Sequence, residues 1–263
     1  MAYKLLALDL DGTLLRPDHT VEPRDVAAIA ELQRAGVRVT IVTGRLRSGS
    51  LGAARACAIA GPIACVEGSH LVDVETGESL AHHPIAPTSV AMLRTAFADA
   101  GLAAFVFDKD GIHHEHAGAQ FAHYVSTWSP NLRVVEQARA WETAPLAAVA
   151  IGDRDEVAAA LAAVASEQIF SVSFAVSMCP GKHAVLVRAA GPTKGTALAE
   201  LCRDAGCTLE EAVVVGDWVN DVPMFQVAGR SFAMPSAPEH VRVHATEHLE
   251  SGGIAEAIRR AWG

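Results

Sequence analysis

The feature that most restricts the fold lies near the front of the chain, where "KLLALDLDGTLL" spans Lys4 to Leu15. Lys4 to Leu8 is a short apolar run without polar alternation, the pattern of a parallel strand buried on both faces. The run then meets Asp9, Asp11 and Gly12. Two carboxylates one residue apart are an expensive end for a buried strand unless something balances their charge.

The chain that follows alternates in the way a parallel sheet requires. Pro23 suits the first turn of a helix. Val26, Ile29, Ala30 and Leu32 recur at helical spacing, and Gly36 stops the helix. A strand over 37–42 leads into Thr43, Gly44 and Arg45, then a helix to about Cys57 and a third strand over 63–66. This alternation predicts a parallel sheet with helices on both faces. Segments 71–74 and 79–82, around "ETGE", read as a hairpin on its edge.

"HPIAP", His83 to Pro87, breaks the pattern. Beyond it, strands are expected at 102–107, 146–151, 169–175 and 184–188, with helices at 88–99, 118–127 and 153–165. "AAGPTKG", Ala189 to Gly195, reads as a return linker. A helix over 194–205, a strand over 212–215, the segment "GDWVND", a short strand near Phe232 and a helix over 254–262 complete the chain. The expected fold class is α/β: a Rossmann-like parallel-sheet core, residues 1–83 and 189–263, split by an inserted α/β domain at 84–188.

Composition narrows the function. Apolar residues make up 51% of the chain and charged ones 19%, enough to bury a core. The formal charge of −9 argues against a nucleic-acid partner, which would be met mainly through cations on phosphates. The five cysteines are odd in number and form no C-x-x-C pair, so neither a zinc site nor a disulfide framework is indicated. "KLLAL" meets Asp9 too soon for a signal peptide, and no apolar run reaches the length of a membrane span. A soluble cytoplasmic monomer or homodimer, with neither membrane nor nucleic acid as partner, is expected.

Four polar groups fall at or just after a strand end, or at a helix start. They are Asp9 with Asp11; Thr43; Lys194; and Asp217 with Asn220 and Asp221. Ligands of open parallel sheets bind outside the carboxyl ends of the strands, so these distant segments should converge on one rim. Several carboxylates on one rim repel one another unless a cation sits among them, and an all-oxygen set suits Mg²⁺. A lysine and a threonine hydroxyl suit a phosphoryl group, and a carboxylate can itself act as a nucleophile. Each group taken singly has a plainer reading: Asp-Gly favours turns, acidic residues favour helix starts, and a lone lysine is usually solvated. The four together favour a phosphoryl-transfer site.

In this order, "DLDGTLL", "TGR", "TKG" and "GDWVND" resemble the four motifs of the haloacid dehalogenase superfamily, whose phosphatases carry the "DxDGT" form. The insert between the second and third motifs resembles the type II, subclass B (Cof-like) cap, and "MFQVAGRSFAMPSAPEHVR" resembles that group's tail. The resemblance spans nearly the whole chain. It implies a HAD-like fold with a cap domain that acts as a lid, and a Mg²⁺-dependent phosphatase acting on a small phosphomonoester such as a sugar phosphate. Asp9 would be the nucleophile that forms an aspartyl-phosphate, and Asp11 the acid and base. Mg²⁺ would be held by the Asp9 carboxylate, the Asp11 carbonyl and the Asp217 carboxylate, with Asp221 acting through water or from behind. Thr43, the Gly44 amide and Lys194 would hold the phosphoryl oxygens. Asn220 would orient Lys194 or the phosphate. Arg45 either reaches the substrate or is a surface residue. A sugar phosphomutase is the alternative, because some carry the same opening motif.

Two segments stand apart. Where many relatives resemble "NGA", this chain has Glu67, Gly68 and Ser69, which add negative charge near the rim. In "GIHHEH", Gly111 to His116, strand alternation divides His114 and His116 from His113 and Glu115. That falls short of the converging ligands zinc requires, so a cap strand facing solvent or substrate is expected. Trp218 either walls the rim or packs on the inserted domain.

Overall fold

Leu5–Leu8 forms the strand that the apolar run predicts, with all four side chains buried. In the computed structural model, residues 3–136, 139–176, 178–250 and 253–263 are described. The chain divides into two units. One runs to Ala81 and resumes at Pro192; the other spans His82–Gly191.

In the first unit, Leu5–Leu8 lies inside a five-stranded sheet. The strand order is Glu247–His248, Arg230–Ala233, Ala212–Gly216, Leu5–Leu8, Arg38–Ile41, and every pair is parallel. The register sets Leu8 opposite both Val215 and Ile41. Asp9 therefore leaves the sheet level with Gly216 and Val42, and its amide donates to the Val215 carbonyl at 3.1 Å. That register brings the first and last acidic motifs side by side. Helix Lys194–Asp204 packs Ala197, Leu198, Leu201 and Cys202 into one cluster with Ala7, Val214, Met224 and Phe225. Its start is fixed by Thr193, whose hydroxyl accepts from the Thr196 amide at 3.1 Å while the Thr196 hydroxyl accepts from the Thr193 amide at 2.8 Å.

The third predicted strand does not extend this sheet. Pro62–Cys65 pairs antiparallel with His70–Asp73, which neighbours Ser79–His82 in a separate three-stranded sheet. An isolated parallel bridge between Val42 and Ala64, and the Thr43 amide donating to the Ala64 carbonyl at 2.9 Å, tie it to the core. Proline supplies the reason: Pro62 has no N–H for a ladder. Its carbonyl is taken by the Thr40 hydroxyl at 2.8 Å. The strand stops at Cys65 because Val66 and Glu67 adopt left-handed backbone, with φ of 49° and 56°.

The second unit holds a six-stranded sheet in the order Ile169–Ala175, Lys182–Ala189, Ala147–Asp153, Ala103–Phe107, Ile112–His114, Leu132–Val134. Its pairs are antiparallel except the last. Helices Pro87–Asp99 and Arg154–Ala163 bury Leu93, Phe97, Val157 and Ala160 in the same cluster as Val106, Ala148 and Val185 of the sheet. Two expectations change here. The segment 118–127 is not one helix: a 3-10 turn, His116–Phe121, precedes a single α-turn, Ala122–Val125. Gly118 sits so close to His114 and Phe105 that its place is fixed by packing rather than by helical spacing. The histidine segment faces solvent only at its end, where His116 is exposed. His113 and His114 are both buried. The His113 ring meets Asp108 at 2.8 Å, and His114 Nδ1 meets the Glu115 carbonyl at 2.8 Å. The other Asp108 oxygen accepts from the Asp110 and Gly111 amides, so this group anchors a tight turn.

The core sheet makes one stability prediction. Leu6 is fully buried between Val213 and Val39. Leu6→Ala should lower the free energy of unfolding by about 3 kcal/mol, the usual range for a leucine deletion in a packed core. Equilibrium urea denaturation measures this, and a loss below about 1 kcal/mol would contradict the assigned position.

Candidate active site

The strand ends of the first unit deliver a buried ion-pair centre. Lys194 opens its helix with a fully buried side chain. Its ammonium donates to Asp9 Oδ1 at 2.5 Å and to Asp221 Oδ1 at 2.7 Å. The other oxygen of Asp221 accepts from the backbone amides of Asp217 and Trp218, at 2.8 and 2.9 Å. Both Asp221 oxygens are thereby engaged in holding the turn and the lysine. Asp217, half-buried, accepts from the Thr13 hydroxyl at 3.3 Å. Gly12, with φ of 82°, passes so close to this carboxylate that a side chain there would collide with it.

The charges are unevenly balanced. Burial pushes the Asp9 carboxyl well above the usual carboxylate range; Lys194 pulls against that shift, and Asp221 and Asp217 add to it. Burial, followed by the charge of Asp221, pushes Asp217 up to about 6, against the pull of Lys194 and the Thr13 hydroxyl. Burial lowers Lys194, but Asp221, Asp9 and Glu67 outweigh it and hold the ammonium charged well above its ordinary range. A single lysine leaves this cluster rich in negative charge. Asp9, Asp217 and Asp221 can each bring one carboxylate oxygen within 4.8 Å of the others. The donors are all hard oxygens, the set that fits a hard divalent cation, and a cation would relieve the shifts on Asp9 and Asp217. With Asp221 taken by its amides and Lys194, Asp9 and Asp217 are the carboxylates left to offer oxygens.

Asp11 lies outside that buried centre. Its side chain is 55% exposed and is gripped by Arg45, itself buried. Arg45 Nε donates to Asp11 Oδ2 at 2.8 Å, and Nη2 donates to the other oxygen. The same guanidinium donates to the Gly49 carbonyl at 3.2 Å and meets His19 Nδ1 at 3.1 Å. Arginine can only donate, so His19 Nδ1 is the acceptor. Arg45 is therefore no surface residue, and in this arrangement its partner is Asp11. Thr43 is fully buried, and its hydroxyl accepts from the Arg45 amide at 3.2 Å. Asn220 reaches neither Lys194 nor Asp9 by a hydrogen bond. Its Nδ2 donates to Glu67 Oε1 at 2.9 Å, and that oxygen lies against Gly44. Trp218 stands 54% exposed on the turn between Asp217 and Asn220.

Three participants carry little sequence signal. Thr13 has one, its place two residues beyond Asp11 in the same motif. His19 and the contact of Glu67 with Asn220 have none, because they join residues 26 and 153 positions apart.

The sequence profile of the haloacid dehalogenase-like hydrolases matches residues 6–258. The pyridoxal phosphate phosphatase YbhA of Escherichia coli K12 is 26% identical over 260 residues, covering 93% of this chain and 92% of that protein. A haloacid dehalogenase-like hydrolase from Bacteroides thetaiotaomicron has the same fold, with a TM-score of 0.85, 24% identity, and 99% of this chain and 100% of that one covered. The subclass IIB sugar phosphatase structure matches with a TM-score of 0.81 at 20% identity, over 98% of each chain.

The strained charge balance is testable without substrate. The folded chain holds the Asp217 proton up to about pH 6, whereas an unfolded chain releases it near pH 4. Ionised Asp217 thus destabilises the fold above pH 6 and has no such effect below pH 4. In buffer containing a chelator, Asp217→Asn should be more stable than the parent at pH 7.5, on the order of 1–2 kcal/mol after discounting for partial exposure. The difference should shrink as pH falls toward 4. Thermal unfolding across this range reads it out; an equal or lower stability of the variant at pH 7.5 would refute the assigned environment.

Proposed function

The chain belongs to the haloacid dehalogenase-like hydrolases and is a phosphatase of small phosphomonoesters; we propose that it works through an aspartyl-phosphate on Asp9, with Mg²⁺ as cofactor. The observation that carries this reading is the Asp9–Lys194–Asp221 contact at the carboxyl ends of the core strands. A carboxylate buried beside a charged lysine has one oxygen fixed and the other available to react. Asp9 and Asp217, with the backbone carbonyl of Asp11, are the groups that would hold Mg²⁺. The ion would neutralise part of the acidic cluster and let an anionic phosphoryl group approach.

The protein's own groups then divide the work. The Asp9 carboxylate attacks phosphorus, and the bond from phosphorus to the ester oxygen breaks. Asp11 gives its proton to the departing oxygen. Water then attacks the phosphorus of the aspartyl-phosphate, passing a proton to Asp11, and inorganic phosphate leaves with Asp9 restored. Lys194, the Thr43 hydroxyl and the Gly44 amide hold the phosphoryl oxygens, over which the transition state spreads its charge. Arg45, by gripping Asp11, keeps the acid and base aimed along one line. The inserted unit serves as the cap that supplies specificity, and its closing would exclude water from the reaction. The relative named above acts on pyridoxal phosphate, and phosphorylated sugars and cofactors are the class proposed for this chain.

Asp9→Asn preserves the shape of the side chain and removes the nucleophile. In a phosphate-release assay with Mg²⁺ over a panel of metabolites, it should cut turnover by at least about a thousandfold. Residual hydrolysis within about tenfold of the parent would defeat the assignment. Incubation with a hexose 1-phosphate separates the alternatives, because a phosphomutase would yield isomerised hexose phosphate where a hydrolase releases free phosphate.

A further inference from the structure

Glu67 is the one carboxylate of the rim that the proposed chemistry does not use, and the backbone goes to some length to place it. Val66 and Glu67 both lie in the left-handed region, with φ of 49° and 56°. A β-branched residue there is strained, and such strain persists only where the surroundings enforce it. Enforcement comes from both neighbouring segments. The Val66 amide donates to the Arg45 carbonyl at 3.1 Å and the Glu67 amide to the Thr43 carbonyl at 3.0 Å. Gly68, with φ of 94°, lies against the Thr193 carbonyl, leaving no room for a side chain. The turn is thus locked between the Thr43–Arg45 loop and the helix start that carries Lys194.

The locked turn aims Glu67 at the phosphoryl-binding groups. Oε1 accepts from Asn220 Nδ2 at 2.9 Å and sits where a side chain on Gly44 would fall, 2.5 Å from a Cβ built there. Its charge also reaches Lys194. Gly44, Asn220 and Lys194 are the groups proposed to hold or orient the phosphoryl group, so Glu67 borders the proposed phosphoryl site, from which the ester's leaving group would extend. Arg45 is engaged by Asp11 and Lys194 by Asp9 and Asp221. Among the described residues, no cation meets the second oxygen of Glu67.

We propose that Glu67 adds a charge selection of its own to the specificity supplied by the cap: it favours phosphomonoesters whose leaving group carries a protonated amine or other cationic donor close to the phosphate, and disfavours those carrying a carboxylate there. The inference rests on the phosphatase reading above. A cationic group near the ester oxygen would pair with the second Glu67 oxygen and supply the missing positive charge. An acidic leaving group would face Glu67 as a like charge in a partly dry site, where repulsion is weakly screened.

The test compares phosphoethanolamine with phosphoglycolate, taking the ratio of their kcat/KM values for the parent, Glu67→Gln and Glu67→Asp, with Asp9→Asn as the blank. The parent ratio should favour phosphoethanolamine and should fall as ionic strength rises. Glu67→Gln should lower that ratio by at least about tenfold, while Glu67→Asp should retain most of it. A Gln ratio within about threefold of the parent, or an equal loss on both substrates, overturns the proposal and makes Glu67 a support for Asn220. The salt dependence of the parent ratio reads the same charge without any variant; a flat ratio overturns it too. If the parent shows no Asp9-dependent hydrolysis of either ester or of a generic aryl phosphate, the phosphatase reading falls and this inference with it. Hydrolysis of the aryl phosphate with no charge preference between the two esters removes this inference alone.

Discussion

The site hangs on the ammonium of Lys194. A cation with no exposed surface loses its hydration, a penalty of several kcal/mol, and stays charged only if carboxylates surround it. Asp9 and Asp221 do so from positions 185 and 27 residues away. The lysine also sits at the first position of its helix, where the macrodipole favours anions and opposes a cation. Local preference and burial both argue against a lysine there, and the surrounding carboxylates, Asp221 and Asp9 foremost and Glu67 behind them, outweigh both. The same helix start favours an anionic ligand, so the lysine and the dipole act together on a phosphoryl group.

Asp221 gives the centre its shape. Its Oδ2 closes the turn after the strand Ala212–Gly216 by taking two backbone amides, and its Oδ1 holds Lys194. Gly216 is required because a side chain there would run into this carboxylate. With the turn closed, Asp217 is presented beside Asp9 rather than away from it. The acidic cluster therefore contains two kinds of carboxylate. One has spent its oxygens on structure, and the other two, Asp9 and Asp217, carry raised pKa values because burial penalises their charge and Lys194 offsets only part of that.

The parts that could be read in the sequence are those governed by spacing along the chain. The Leu5–Leu8 strand, the parallel sheet and the rim position of Asp9 and Asp217 follow from apolar runs that end in polar residues, and that of Lys194 from a helix start after a Gly-Pro linker. What could not be read depends on contacts across the fold. Pro62 brings no N–H to a ladder, and the Thr40 hydroxyl, 22 positions away, takes its carbonyl, a contact that no local pattern announces. His113 and His114 look like ligands in one dimension, but an aspartate five residues earlier and a backbone carbonyl satisfy them. Arg45 reads as substrate contact or surface until the fold sets it against Asp11, 34 positions away.

Exposure separates the two aspartates of the opening motif, and their proposed tasks differ accordingly. Asp9 must be ionised and held still when it attacks, and it is buried against a fixed ammonium. Asp11 must gain and lose a proton in each cycle, and more than half of its side chain meets water. The Arg45 fork places one N–H donor on each Asp11 oxygen, and each oxygen keeps a second lone pair. The proposed acid and base is thus held in place by Arg45 while an acceptor site stays free on each of its oxygens.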